Sequence, residues 1–433
     1  MKEKVFEFGF GDGKFKLALP EEQIIHEIDG RPFAPVTDIP AAVREALNNP
    51  VGSPPLREVV KAGDKVAIIV SDVTRAWAKF DHFLPTLLDE LNASGIPDSD
   101  MFIVIGLGAH RAHTPEEDVL VCGRNVCHRV PVYQHDCHDK ENLTYTGTTS
   151  GGVKCYVNKR VADADKVILT GGIVYHLMAG FGGGRKAIMP GVSGFTSIQG
   201  NHLFCMNKEV GKGLNPNCIS GKLEGNEMHA DMSEIAALAK PDFLLNAVFT
   251  PEGKFAKFVA GHWYKAWEAG TKLVEEIYGI PIQAQADLVI ASAGGFPKDI
   301  NLYQGSKTID NAYMAVKPGG VIICFLECRD IYEPKEFSDW FKHKDMLEFE
   351  MAIREYFTIP GFIAYKCAYI ARENPLIVVT KPENMEFIKK TGMIPVTTAE
   401  EAYALAKQKL GRDDYSITVM PHAANTVPLL QGK

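Results

Sequence analysis

No stretch of this 433-residue chain is both long and apolar enough to cross a bilayer, so the sequence offers no transmembrane helix. The first ten residues, MKEKVFEFGF, carry acidic side chains where an export signal needs an apolar run, and no signal peptide is expected. Positive charge is also short: 46 Lys and Arg stand against 54 Asp and Glu, a net charge of −8. Broad binding to nucleic acid or to an acidic membrane needs a basic face that this balance does not supply, so neither is expected as a partner. Cysteine is present nine times, but an odd number without framework spacing argues against a disulfide-stapled secreted fold. Free thiols in a reducing compartment, and hence a cytoplasmic location, are the expectation. Internal repeats and low-complexity tracts are missing as well.

What is there is an ordinary globular composition, with enough length for two cores. Short apolar runs followed by Gly, Asp or Thr turns and then helical stretches point to an α/β fold. The runs KVAIIV (65–70), MFIVI (101–105), KVIL (166–169) and FLLNAV (243–248) predict a first set of strands; LVIA (288–291), VIICF (321–325) and LIVV (376–379) predict a second. Helices are expected over 262–278, 307–316, 348–356 and 382–390. Gly279 and Pro281 in YGIPIQAQA (278–286) interrupt the first of these and mark the junction. The reading is therefore two α/β domains with largely parallel sheets and an interdomain active-site cleft. The N-terminal, cofactor-binding domain would span 1–280 and the C-terminal domain 281–411, with ITVMPHA (417–423), inside the end segment 412–433, returning as a strand to the first domain.

Ligands of open α/β sheets gather beyond the carboxyl ends of the strands, and there the unusual residues lie. Ser71-Asp72-Val73-Thr74-Arg75 follows the first run, and Leu107-Gly108-Ala109-His110-Arg111 the second. An Arg can grip a carboxylate bidentately, and a His can move a proton near neutral pH; surface ion pairing beside a capped helix is the plainer alternative. A third segment is denser: Gly171-Gly172-Ile173-Val174-Tyr175-His176, Phe181-Gly182-Gly183-Gly184-Arg185-Lys186, Pro190-Gly191 and Asn201-His202. Consecutive glycines let backbone amides approach a phosphate or a flat cofactor, with Arg185 and Lys186 as countercharge; otherwise they pack a helix on the sheet. Ala187 stands where a Walker motif needs a hydroxyl, and Gly106 with Gly108 is only a fragment of a dinucleotide fingerprint. In the second domain, Gly294-Gly295-Phe296-Pro297-Lys298-Asp299 leads to Tyr303, Gln304 and Lys307 at a helix start, placed either to orient a hydroxyacid or to cap the helix.

Taken together, H-x-x-x-G-F-G-G-G-R-K from His176 to Lys186, the following P-G and N-H, and the DxTR, GAHR and YQ-x-x-K segments in that order resemble the lactate racemase family, the nickel-pincer-dependent 2-hydroxyacid racemases and epimerases. The resemblance runs over nearly the whole chain. It implies an isomerase that inverts the C2 centre by reversible hydride transfer. Its cofactor would be pyridinium-3,5-bisthiocarboxylic acid mononucleotide, joined covalently to Lys186 and carrying nickel with His202 as protein ligand. Soft sulfur with imidazole in a flat four-coordinate site is reasonable for nickel. His110 and His176 would be the acid/base pair. Asp72, Thr74, Gly182, Gly183, Gly184 and Arg185 would join Lys186 in holding the cofactor, while Arg75, Tyr303, Gln304 and Lys307 would bind the 2-hydroxyacid. Separate cofactor-maturation proteins are implied as partners.

The hydroxyacid chemistry is coherent, because an α-hydrogen that leaves as hydride while a histidine takes the hydroxyl proton avoids a dianionic carbanion. The chain departs from the family where a proline is expected after the motif arginine: Ala76-Trp77 stands there, which suggests a substrate larger than lactate. Cys122, Cys127, His128, His135, Cys137 and His138 crowd one region, but no Cys-x-x-Cys pair supports zinc. His113 is expected in a turn capped by Thr114, and Cys205 as a small buried residue. Competing functions are a nicotinamide-dependent hydroxyacid dehydrogenase or epimerase, which needs no covalent lysine, and a non-catalytic nucleotide-cofactor carrier, which needs no histidine pair.

Overall fold

The structure is a computed structural model that describes residues 2–431. Those residues divide into two compact units. The first comprises Pro32–Cys205 and Pro216–Ile277; the second comprises the described residues of Met1–Arg31, Met206–Asn215 and Tyr278–Lys433.

The first unit is built on a six-stranded sheet. In spatial order its strands are Phe255–Gly261, Phe243–Phe249, Lys166–Ile173, Val66–Ser71, Met101–Gly106 and Val132–Gln134. All neighbours are parallel except Phe255–Gly261, which runs antiparallel along the edge. Central strands covered on both faces have no wet side and so read as unbroken apolar runs. Val66 to Val70 are accordingly all fully buried, with Ile68 in register with Ile103 and with Ile168. The helix Leu84–Ala93 places Leu84, Leu87, Leu88 and Leu91 in the same core as Ile68, Val70, Ile103 and Ile105. After Val66–Ser71 the chain adds strands on one side and then returns to add Lys166–Ile173 on the other. The boundary between those two strands is thus a topological switch point, where the outgoing loops diverge and leave a crevice.

The second unit carries another six-stranded sheet, ordered Ile394–Val396, Leu376–Val379, Val316–Phe325, Ala286–Ser292, Ile417–Met420 and Ile24–Glu27, with every pair parallel. The hairpin Glu3–Phe10 with Gly13–Pro20 buries alternate residues, Phe6 and Phe8 on one strand and Leu17 and Leu19 on the other. Those four share a core with Ile290, Ile323 and Val419, and the Phe8 ring stacks on Phe325 at 4.7 Å.

The division of the chain differs from the sequence expectation of 1–280 and 281–411. Residues 2–31 belong with the C-terminal half, because the apolar face of the hairpin is buried in that half's core and Ile24–Glu27 extends its sheet. The end segment does not return to the first unit. Ile417–Met420 is buried at every position and pairs with Ala286–Ser292 on one side and Ile24–Glu27 on the other. Met206–Asn215 also joins the second unit, held by the buried Glu350, whose carboxylate accepts from the Gly211 amide at 3.0 Å and the Gly213 amide at 3.2 Å. The expected helix over 382–390 is a 3₁₀ turn, Pro382–Asn384, continued by the α-helix Met385–Lys390.

Candidate functional site

Three neighbouring strands of the first unit deliver the site. Asp72 to Arg75 leave Val66–Ser71, His110 follows Met101–Gly106, and Gly171 to His176 end Lys166–Ile173 and the short strand after it. Asp72 is buried and its carboxylate meets His110 Nδ1 through Oδ2, while Oδ1 accepts from Thr74 Oγ1 at 2.6 Å. Burial pushes the Asp72 carboxyl up, but the bond from His110, the His110 charge, the Thr74 hydroxyl and the Arg75 charge outweigh it and hold the group below its ordinary value. A carboxylate on Nδ1 keeps the proton there and leaves the His110 Nε2 lone pair to act as a base. Thr74 Oγ1 in turn accepts from Arg75 Nη1 at 3.0 Å. Both carboxylate oxygens and the threonine hydroxyl are therefore engaged in aiming His110 and Arg75.

Beneath this chain lies a strut that the sequence did not disclose. His113 is buried; its Nε2 accepts the Val73 amide at 2.8 Å and its Nδ1 meets Asp118 Oδ1 at 2.9 Å. Thr114 caps the helix Pro115–Cys122 in a reciprocal box with Glu117, as its position suggested. His113 thus fixes the backbone between Asp72 and Thr74.

The glycine run is a turn closed on the protein itself. The Gly182 amide donates to Val174 O at 2.7 Å and the Gly184 amide to Asn246 Oδ1 at 2.8 Å. Gly184 has φ 54°, and a Cβ there would lie 2.5 Å from the Trp267 ring. Arg185 is turned inward and fully buried, donating from Nε to His229 Nδ1 (3.0 Å), from Nη1 to Phe181 O (3.1 Å) and from Nη2 to Ala179 O (2.7 Å). Its guanidinium carbon sits 3.8 Å from the Trp267 ring centre. Expected as countercharge for a cofactor, Arg185 is instead the internal post of the turn, and Gly182 and Gly184 likewise offer the protein, not a phosphate, their amides. Asn246, His229 and Trp267 were missed. Only Asn246 left a signal, a polar residue inside the apolar run FLLNAVF.

Lys186 follows Arg185 in the 3₁₀ segment Gly184–Ala187. Burial, then the charges of Arg185 and Arg75, lower its amine to about 7. Burial and then the charges of Lys186, Arg75, His202 and Arg185 push His176 well below its ordinary value. His202, at the end of the helix Phe195–His202, is buried and lowered to about 3 by burial and Lys186. The charges of Lys186, Arg75 and His202 thus all bear on His176, while hydrogen bonds through Asp72 and Thr74 link His110 to Arg75. His202 Nδ1 lies 2.9 Å from Ile198 O, so it donates there and Nε2 holds the lone pair. His176 differs: its Nδ1 accepts from the amides of Met178 (3.3 Å) and Ala179 (3.2 Å), so the neutral ring carries its proton on Nε2.

Tyr303, Gln304 and Lys307 belong to the second unit, in the first turns of the helix Leu302–Ala315. Asn301 caps that helix by accepting from the Gln304 amide at 2.8 Å, and Lys307 Nζ donates to Gln304 Oε1 at 3.1 Å. Trp77 stands two residues beyond Arg75 with its indole 41% exposed, edge-on to Phe249 at 5.4 Å and seated over Gly172, where a Cβ would come within 2.9 Å of it. Among the described residues no group of three or more His, Cys, Asp or Glu is arranged to hold a metal by itself, the 122–138 region included. No helix among them is long and apolar enough to cross a membrane.

Comparison with known proteins bears on the same residues. Residues 10–213 match the lactate racemase N-terminal domain and residues 282–427 the lactate racemase C-terminal domain. The chain is 32% identical to lactate racemase from Thermoanaerobacterium thermosaccharolyticum, over 97% of this chain and 98% of that protein. It is 30% identical to lactate racemase from Lactiplantibacillus plantarum, over 89% and 90% respectively. The solved apoprotein from T. thermosaccharolyticum superposes with a TM-score of 0.85, covering 98% of this chain and all of that one. A Thermotoga maritima protein of 16% identity shares the fold, with a TM-score of 0.62 over 93% of this chain and all of its own.

Proposed function

The chain belongs to the lactate racemase family, and from that premise we propose that it is a racemase or epimerase of 2-hydroxyacids that works with a nickel-pincer nucleotide attached to Lys186. The chain is an isomerase of the racemase class. The observation that carries the finer reading is the convergence of His110, Arg75, His176, Lys186 and His202 around the switch point of one sheet.

The residues present fit such a cofactor. An amine lowered to about 7 is largely neutral at physiological pH, so Lys186 is a competent nucleophile toward a thiocarboxylate. His202 offers an imidazole whose Nδ1 is tied to a backbone carbonyl, the arrangement that presents Nε2 to a metal. Lys186 and His202 would hold the group; Arg185 and the amides of Gly182 and Gly184, being engaged within the turn, support it by holding Lys186 in place. When bound, the group supplies a reversible hydride acceptor and donor for the substrate's C2 position.

The side chains then divide the remaining work. Arg75, aimed by Thr74, binds the substrate carboxylate. His110 takes the hydroxyl proton on Nε2, and Asp72 stabilises the imidazolium that results. His176 donates a hydrogen bond from Nε2 to the substrate oxygen. It serves as a base for the opposite enantiomer by moving its proton to Nδ1, which breaks the two long backbone bonds there. Beside Arg75 the exposed Trp77 face favours a 2-hydroxyacid with a bulky substituent, aromatic or sugar-like, over lactate. Maturation proteins that deliver the cofactor are its expected partners.

The test is to express the chain with and without cofactor-maturation proteins and to record intact mass, nickel content and the mass of the peptide bearing Lys186. A nucleotide-sized adduct with about one nickel per chain is expected only with maturation. An unmodified lysine under maturation conditions removes the covalent reading. A hydroxyacid panel on the loaded protein then tests Trp77: lactate as much the best substrate would reject the larger-substituent assignment.

A further inference from the structure

Pro190-Gly191 follows Lys186 in sequence, and His135 follows the strand Val132–Gln134; the reaction above uses neither. The Gly191 amide donates to Lys186 O at 3.1 Å, which closes the segment 186–191 on itself. The Gly191 carbonyl in turn accepts the Gly108 amide at 2.9 Å, two residues before His110, and the His110 amide donates to Leu107 O at 3.0 Å. Two backbone bonds therefore join the main chain of Lys186 to the tight turn that carries His110. The crossing is close: a Cβ on Gly191 would overlap Ala187 O, and one on Gly106 would come within 3.1 Å of the Gly191 backbone. Gly106 and Gly108, a fragment of a dinucleotide fingerprint in the sequence, thus make room for Pro190-Gly191.

A second tie runs beside the first. His135 is buried; its amide donates to Ile105 O at 3.0 Å and its ring Nε2 to Ser193 O at 2.9 Å, while Nδ1 accepts from Asn158 Nδ2 at 3.2 Å. One proton, on Nε2, satisfies both ring contacts. Burial lowers the imidazole, against the Ser193 carbonyl and the Asp136 charge, and so favours that neutral form. Ser193 Oγ donates to Ile188 O at 2.8 Å, which closes the segment where His135 grips it.

We propose that His135 is a positioning residue: together with the Gly191 bridge it fixes the His110 turn against the Lys186 segment, and so sets the reach between the His110 base and the group that Lys186 carries. The inference rests on the roles given above to Lys186 and His110. His135 itself has no need to touch substrate. Both ends of the bridge stay chemically competent without it; what is lost is their alignment, and a misplacement of about 1 Å can cost on the order of a hundredfold in rate.

The experiment compares His135→Leu and His135→Gln with the parent, first without cofactor by hydrogen exchange and then after expression with the maturation proteins. Leucine leaves Ser193 O and the Asn158 amide without their partner, whereas glutamine restores a donor at the reach of Nε2. Without cofactor, the Gly108 amide should exchange about tenfold faster or more in His135→Leu and near the parent rate in His135→Gln, while Val66–Ser71 stays protected in both. In the loaded protein, kcat per Lys186 adduct, counted by intact mass, should fall roughly ten- to a hundredfold in His135→Leu and recover in His135→Gln, with KM within about twofold of the parent. The substrates are lactate and the acid of the panel that the parent inverts fastest. Parent-rate exchange at Gly108 in His135→Leu, or an unchanged kcat per adduct, would overturn the proposal. So would a loss that appears only as fewer adducts, or one that His135→Gln does not restore, since either makes His135 a support of the fold alone. An unmodified Lys186 in the parent under maturation conditions overturns the role of Lys186 instead, and the exchange at Gly108 then judges the bridge by itself.

Discussion

At the scale of single residues, the decisive contact is Asp72 with His110. Replacing Asp72 with Asn keeps the shape but changes the pattern of donors. Thr74 Oγ1 already donates to one side-chain oxygen, so the amide nitrogen would face His110 Nδ1 and force the proton onto Nε2. The base is lost while the ring stays in place. Turnover should fall by roughly a hundred- to ten-thousand-fold, by analogy with a triad carboxylate changed to amide, while the Lys186 adduct and bound nickel persist. Loss of the adduct would return Asp72 to the cofactor-binding role that the sequence suggested. Lys186 makes a second prediction. In the chain without cofactor, an amine-specific acylating reagent should modify it with a midpoint near pH 7, since below about 7 the amine is protonated and inert. A midpoint near the ordinary lysine value would contradict the crowded, desolvated setting. Because this amine holds fewer protons folded than unfolded between about 7 and 10.5, its contribution makes stability rise with pH across that window. Asp72, Arg75, His110 and His176 stood out in the sequence because each lies at or just beyond the end of a strand, where chemistry collects. The direction each side chain faces did not. Arg185 and Lys186 are adjacent and both cationic, yet one points inward because Trp267 and His229, far along the chain, receive it.

At the scale of elements, the glycine turn between the strand Gly180–Phe181 and the 3₁₀ segment Gly184–Ala187 is the device that seats Arg185 against Trp267. Gly184 tolerates nothing larger: φ is 54° and the added carbon would strike Trp267 at 2.5 Å. Gly184→Ala should therefore destabilise the chain by about 2–4 kcal/mol, combining backbone strain with overpacking, seen as a lower urea midpoint at unchanged slope. Gly182→Ala is the control, because its added carbon meets Val174 only at an ordinary 3.6 Å; it should unfold near the parent midpoint. Equal loss in both would mean that the run serves a ligand rather than the Trp267 packing. The strands themselves were legible. The seven apolar runs all became strands, since a parallel strand covered on both faces has no room for an alternating pattern. The hairpin of residues 3–20 was not read. Its alternation buries only Phe6, Phe8, Leu17 and Leu19, and nothing local tells which sheet will receive that face.

At the scale of the molecule, this is also why the domain division was misread along the chain. Sequence order places residues 1–31 before the first sheet, yet Ile24–Glu27 is the outer strand of the second, next to Ile417–Met420. The backbone passes between units three times before it settles in the second, at 31–32, 205–206 and 215–216, and finally at 277–278. Removing residues 1–31 therefore strips the second unit of a strand and of the hairpin that buries Phe6, Phe8, Leu17 and Leu19 against Ile290, Ile323 and Val419. At about 1.5–3 kcal/mol for each large apolar side chain withdrawn from a core, that loss is comparable with the whole stability of an ordinary domain. Hydrogen exchange on the shortened chain should show Ile417–Met420 and Ala286–Ser292 losing protection by orders of magnitude, while Val66–Ser71 and Lys166–Ile173 keep theirs. Lys186 should stay open to acylation near pH 7, because its turn and the side chains that depress its amine all lie in the first unit. Protection lost in Val66–Ser71 instead would mean that the N-terminal segment supports the sheet it precedes in sequence. Protection kept everywhere would mean that the hairpin is an ornament on a core already complete without it.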